Sequence, residues 1–344
     1  MSGEELKQVI DRVDGVRSSP VPVGPGASWE KEWFHFAILG QCADTILNLS
    51  FGGDARPAAA PRERVARTIL LVHDHRWEGG IESTPERDVV IGPGVRVQLG
   101  HNVVRFEGGR FVLSSALEGL PVSLYLTARP LTWPLLVEGD RAARQSGWVV
   151  IPRLVGRGSV VSGRRVHRFE ETLIYHDHNW GRWRWGDDLS WEWGFGLPDD
   201  PSVPWSLVFS RTSDRARGVT SSLRFLVWNG ESMIRRFDSA EIRVTPEGRA
   251  RSTQVRKVPP PMAMLAPELT TEVPDRLYVE AESGEDRLVL VFRIEGIVQI
   301  LVPNERDLGV TVINETVGRV RADGRIEGET VRMDGRGHVE FVRG

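Results

Sequence analysis

The chain has 344 residues, a formal net charge of −3, 40% hydrophobic and 26% charged residues. That length is natural for two domains, and the near-neutral balance lacks the basic footprint of a nucleic-acid binder. A single cysteine, Cys42, excludes an internal disulfide framework and fits a reducing compartment.

The opening MSGEELKQVIDRVD predicts a short amphipathic helix, with Leu6, Val9, Ile10 and Val13 on one stripe. Ser2 and Glu5 have the spacing of a capping box. These residues lack the apolar centre of a signal peptide, and no later run is long enough to cross a bilayer. A cytoplasmic protein is expected, with peripheral membrane contact left open.

Beyond residue 14 the pattern is almost entirely β. Residues 33–39, 45–51, 103–106, 111–116, 224–228 and 288–294 are short, β-branched or aromatic, and bounded by Gly, Pro or Asp. Glu107-Gly108-Gly109, Asn229-Gly230, Asp323-Gly324 and Asp334-Gly335 predict turns, because these residues tolerate positive φ. Helical periods of useful length are missing after the N-terminus. Strands in this number suit sandwiches or barrels, and a barrel of roughly eight strands encloses one small ligand.

Three segments read as breaks: 57–64 (PAAAPRER), 198–204 (PDDPSVP) and 258–267 (VPPPMAMLAP). The first is expected as an exposed loop and the third as a stiff crossing. The second follows a dense run of tryptophans and places the domain boundary near 195. The expected domains are therefore 1–195 and 196–344.

The chemistry concentrates in Tyr175-His176-Asp177-His178-Asn179-Trp180-Gly181. Trp180, Trp183, Trp185, Trp191, Trp193 and Trp205 stand in or just after it, half of the chain's 12 tryptophans. If 172–180 is a strand, side chains alternate between its faces. Tyr175, Asp177 and Asn179 then share one face, and His176, His178 and Trp180 the other. An echo, His73-Asp74-His75-Arg76-Trp77, lies upstream but lacks the tyrosine.

The motif at 175–181 resembles the signature of the carotenoid 1,2-hydratase (hydroxyneurosporene synthase) and AttH-like superfamily. Glu32-Trp33-Phe34 and Trp148-Val149-Val150-Ile151-Pro152-Arg153 add similarity. The resemblance implies an all-β fold of two lipocalin-like domains in tandem, and a kinship with lipocalin-type Diels–Alderases. It also implies that Asp177 is the acid protonating an isoprenoid double bond, assisted by Tyr175 and Trp148, with no metal or other cofactor. His176, His178, Asn179, Trp180, Trp191 and Trp193 are the expected substrate-binding residues.

Such chemistry needs a neutral acid, which burial in an apolar pocket favours, and aromatic faces to stabilise a cation. Water capture gives hydration, internal attack gives cyclisation, and proton loss gives isomerisation; the motif leaves these three open. The expected partner is a hydrophobic isoprenoid-like or polyene small molecule. A pericyclase and a non-catalytic carrier of a hydrophobic ligand are the alternatives. Two blander readings also stand. The His-Asp-His run could be a buried polar network, with the tryptophans plain core. His73, His75, His176 and His178 could instead converge on a metal if their strands pair.

Overall fold

The computed structural model describes residues 3–17, 30–52, 65–138, 147–183, 185, 189–251, 255–265, 272–304 and 308–343. The loop expected at 57–64 and the capping Ser2 lie outside these residues. The chain folds as two compact units, Met1–Trp183 and Arg184–Gly344.

The first unit begins with helix α1 (Gly3–Val13). Its strands are β1 (Glu30–Leu39), β2 (Asp44–Phe51), β3 (Val65–His73), β4 (Trp77–Pro85), β5 (Val89–Ile91), β6 (Arg96–Leu99), β7 (Asn102–Glu107), β8 (Arg110–Ala116), β9 (Val122–Pro130), β10 (Leu135–Glu138), β11 (Gly147–Ser162) and β12 (Arg165–Arg182). They form one antiparallel sheet in the order β4-β3-β2-β1-β12-β11-β9-β8-β7-β6-β5, with β10 on β11. The sheet curls, so that β3 meets β6 and β9 across one core. Phe34, Phe36, Leu47, Leu70, Val104, Phe111 and Leu126 fill that core, and α1 adds Leu6 and Ile10. Burying each large apolar side chain contributes roughly 1.5–3 kcal/mol.

The second unit contains β13 (Ser190–Pro198), β14 (Trp205–Ser213), β15 (Thr220–Asn229), β16 (Ser232–Asp238), β17 (Ile242–Glu247), β18 (Val255–Val258), α2 (Pro260–Leu265), β19 (Arg276–Ser283), β20 (Asp286–Pro303), β21 (Val310–Ile326) and β22 (Glu329–Arg343). Its sheet runs β16-β15-β14-β13-β22-β21-β20-β19-β17, with β18 parallel to β20. Contacts of β15 with β17 and of β16 with β19 curl it around a second core containing Phe209, Phe225, Phe292 and Phe341. The fold is all-β, two lipocalin-like domains with a short N-terminal helix.

Every strand segment expected from sequence lies within a strand. Residues 198–204 differ from expectation: they form the loop of the β13–β14 hairpin inside the second unit, so Trp191 and Trp193 belong to that unit. The segment expected as a stiff crossing at 258–267 includes α2, whose prolines sit in its first turn, where no intrahelical N–H is required. The turns at Gly108-Gly109 and Gly230 have the expected positive φ. Asp323-Gly324 and Asp334-Gly335 are not turns but lie inside β21 and β22, and the real turn between those strands is Glu327-Gly328. Gly335 is required for close approach: a Cβ there would run into the Leu197 carbonyl oxygen of β13.

The strand β12 differs from an ordinary barrel strand. In β9, burial alternates, with Leu124 and Leu126 inside and Tyr125 outside. In β12 all residues from Leu173 to His178 are buried, so both faces of the motif are shielded from water.

Candidate active site

The pairing of β12 with β1 and β11 fixes what surrounds Asp177. Ala37 stands beside Tyr175, His35 beside Asp177, and Trp33 beside Asn179 on β1. On β11 the partners are Val150 for Asp177 and Trp148 for Asn179. Paired residues of adjacent strands point to the same side. Tyr175, Asp177, Asn179, Trp33, His35 and Trp148 therefore share the face turned away from the first barrel's core. A bulge at Pro152-Arg153 interrupts the β11 register next to Tyr175. Proline is tolerated there because a bulge residue owes the ladder no hydrogen bond.

On this face Asp177 is 2% exposed and Tyr175 fully buried. The Tyr175 hydroxyl lies 3.0 Å from Asp177 Oδ2, and Asn179 Nδ2 donates to Asp177 Oδ1 at 2.8 Å. Asn179 thus claims one oxygen in either charge state. The other oxygen faces a hydroxyl, which donates to a carboxylate or accepts from a carboxylic acid. The geometry therefore accommodates Asp177 both before and after it loses a proton. Trp148 is half-buried, and its Nε1 has no protein acceptor among the described residues.

The opposite face of β12 carries the imidazoles. His176 and His178 are fully buried and stack on Phe36 and Phe34, with ring centroids 4.0 Å apart in each pair. His176 Nδ1 donates to the His35 carbonyl at 2.8 Å, and its Nε2 lies 3.0 Å from Asp14 Oδ2. His178 reaches Asp14 Oδ1 at 3.2 Å through Nδ1 and Glu32 Oε1 at 2.7 Å through Nε2. Glu32 Oε1 also accepts the Arg17 backbone N–H at 2.7 Å. Burial disfavours charge on His178, but the hydrogen bonds it donates to Asp14 and Glu32 outweigh that and push its pKa up to about 8. Burial likewise opposes the Asp14 carboxylate, yet His176 and His178 hold its pKa below the usual value.

His176 and His178, expected as substrate-binding residues, face the core of the first barrel beside Phe36 and Phe34. Both nitrogens of each ring are engaged inside the protein, where they tie the end of α1 to β1 and β12. Trp180 lies on the same inner face, half-buried, with the Arg17 guanidinium 5.0 Å above its ring. Of the expected binding residues, Asn179 is the one on the acid's face. The four imidazoles of the metal reading do not converge. Strands β1 and β2 separate β3 from β12, and His73 and His75 sit at the β3–β4 turn beside Asp44 and Asp74.

The second unit holds a buried polar cluster of its own. Glu315 and Glu340 are direct partners on β21 and β22, with Trp193 opposite Glu340 on β13. Trp191 Nε1 donates to Glu340 Oε1, and His338 Nε2 lies 2.9 Å from Glu315 Oε2. Burial pushes Glu315 up to about 7, and burial with repulsion from Glu315 pushes Glu340 up to about 8. Trp193 is buried against Phe195 and His338. Sequence reading missed Asp14, Glu32, Glu315, His338 and Glu340. The signal for the last two is His338-Val339-Glu340: polar residues at alternate positions beside the buried Val339, Phe341 and Val342.

No protein-family model and no curated protein matches the sequence. The fold does match solved structures. The AttH-like protein of Nitrosomonas europaea aligns with a TM-score of 0.61 at 13% identity, over 95% of this chain and 96% of that one. Kievitone hydratase from Nectria haematococca gives 0.59 at 12% identity, over 97% and 94%. CghA, solved with Sch210972, gives 0.57 at 14% identity, over 96% and 97%. At such identities the likeness carries the fold, over nearly the full length of each chain. The molecule has the lipocalin-like all-β fold of AttH-like proteins, kievitone hydratase and CghA, as the motif at 175–181 predicts.

Proposed function

We propose that this chain is a cofactor-independent enzyme in which Asp177 protonates an alkene of a hydrophobic, isoprenoid-like substrate. The observation that carries this reading is a buried carboxyl group with a phenol on one oxygen and an amide on the other. Tyr175 orients the acid or relays its proton, and Trp33 and Trp148 supply nearby aromatic surface for a developing cation. Water, an internal nucleophile or proton loss then yields hydration, cyclisation or isomerisation. Hydration is supported by the fold shared with kievitone hydratase. The test is incubation in deuterated water with acyclic isoprenoid alkenes and with kievitone, followed by mass analysis. Deuterium bound to carbon in the product is the expected result. Product free of deuterium at carbon would sink the proposal.

A pericyclase is the second reading, and a different observation favours it. Trp148 Nε1 is a buried donor without a protein acceptor among the described residues, placed to hold a polar atom of a ligand. Such an enzyme works through shape and a few hydrogen bonds, and the fold likeness to CghA supports it. Product formed without deuterium uptake, and lost in Trp148→Phe, would favour this reading.

A further inference from the structure

One end of the second barrel opens into a cleft of about 390 Å³, whose lining includes Trp191, Glu192, Arg211, Arg217, Thr220 and Arg343. Glu192 and Arg211 are direct partners on β13 and β14, and Glu192 is also paired with the core residue Phe341. This places the cleft at the mouth of the barrel, on its core-facing side. Barrel mouths and concave sites of this volume are usual places for small ligands.

The charges in the lining are unbalanced. Buried Glu192 accepts from Arg211 Nη2 on one oxygen and from Arg343 Nη2 on the other, so a single carboxylate serves two guanidiniums. Arg211 has no other protein acceptor among the described residues, and Arg343 Nε is buried without one. Arg217 supplies a third positive charge. Its φ of +60° is unusual for a side chain of this size, and the loop holds it through Asp214, whose backbone carbonyl accepts the Arg217 N–H at 2.9 Å. Outside the cleft, Arg217 meets Glu272 at 2.9 Å, but both side chains are roughly half exposed. A pair so wetted contributes little and yields readily to a competing anion. Burial disfavours the Arg343 charge, and Arg217 adds repulsion to it. A bound anion would offset both effects.

We propose that this cleft binds a small organic oxyanion, a carboxylate or phosphate on an apolar body, with Arg211, Arg217 and Arg343 holding the anionic group and the apolar atoms of Ala216 and Pro246 beside the body. Guanidinium forks match the oxygens of either group, and an excess of positive charge in a cleft concentrates anions. The site is independent of the acid reading of Asp177, because it is tested by binding and not by turnover.

The experiment is calorimetric titration of the intact protein with 1-naphthoate, 1-naphthyl phosphate and the uncharged 1-naphthalenemethanol. At least one anion should bind, with the alcohol at least tenfold weaker, and the tighter anion names the preferred group. Arg217→Asn removes the charge while keeping a residue that tolerates the left-handed backbone, and should weaken anion binding at least tenfold. Arg217→Lys should restore most of it. Thr220→Glu, an exposed change that adds a negative charge to the cleft, should weaken binding comparably without touching an arginine. Failure of both anions to bind at millimolar concentration overturns the proposal. So does equal binding of the alcohol, or unchanged affinity in both Arg217→Asn and Thr220→Glu.

Discussion

His178 and Asp14, 164 residues apart in the chain, meet inside the first barrel with Nδ1 3.2 Å from Oδ1 and both side chains fully buried. The contact ties helix α1 to the central strand of the sheet, and it sets how stability varies with pH. His178 is pushed from 6.5 to about 8, so the folded state holds that proton more tightly than the unfolded chain does. Its contribution, roughly 2 kcal/mol, is complete below the unfolded value and lost as pH rises through about 8. Asp14 is held below 3.8, so its share is present above that value and lost on acidification. Urea unfolding should show lower stability at pH 9 than at pH 6. Equal stability at the two would contradict a charged His178.

Replacing Asp14 by Asn removes the shared acceptor and leaves a buried imidazolium short of a partner. Breaking a buried pair from one side costs about 3–5 kcal/mol. Asp14→Asn should therefore destabilise the first unit by that order and shrink the loss of stability between pH 6.5 and 8. Circular dichroism during urea titration at several pH values reads both effects.

Asp177→Asn preserves shape and the contact with Asn179 but has no proton to give carbon. If the acid reading holds, turnover falls by roughly 10²–10⁴-fold while ligand affinity and unfolding change little. Tyr175→Phe leaves Asp177 Oδ2 without its hydroxyl partner. It should reduce turnover less and shift the pH profile of the remaining activity, at about 1–3 kcal/mol of stability. Full activity in Asp177→Asn would remove the aspartate from the mechanism.

Strand alternation alone separates Tyr175, Asp177 and Asn179 from His176, His178 and Trp180, and the pairing with β1 and β11 keeps that division. Alternation does not reveal what stands across the sheet. Asp14 arrives just past the end of helix α1 and Glu32 on β1, both from the distant N-terminus, so metal, substrate and polar-network readings of the imidazoles all stayed open in the sequence. The proline-rich 198–204 segment misled for a related reason. Proline and aspartate mark a loop, but loop composition is the same in a hairpin and in a joint between domains. The register of β13 with β14 and β22 is what assigns Trp191 and Trp193 to the second unit.

Glu315 and Glu340 are coupled, so they titrate as a pair. Both are pushed above 4.5, to about 7 and about 8, so the folded protein retains protons that the unfolded chain releases. Their contribution is complete below about 4.5 and lost as pH rises through about 7–8. Glu340→Gln imitates the protonated acid and keeps an acceptor for Trp191 Nε1. The variant should be more stable than the parent at pH 8.5 and close to it at pH 5. Thermal unfolding at the two pH values measures this, and a variant less stable at pH 8.5 would show that the pair is ionised without strain.

Two glycines that look alike in sequence should respond differently to alanine. Gly230 follows Asn229 in a hairpin turn, with φ of +59° and open space where a Cβ would point. Gly230→Ala meets only the left-handed backbone, a cost of about 1–2 kcal/mol. Gly335 follows Asp334 but lies inside β22, where a Cβ would collide with the carbonyl oxygen of Leu197 on the neighbouring strand. Relief requires β13 and β22 to separate at the centre of the sheet, which would break ladder hydrogen bonds flanked by buried side chains. Gly335→Ala should therefore cost several times more than Gly230→Ala in urea unfolding, or prevent the second unit from folding. Similar losses at the two positions would mean that the β13–β22 pairing has slack the register does not show.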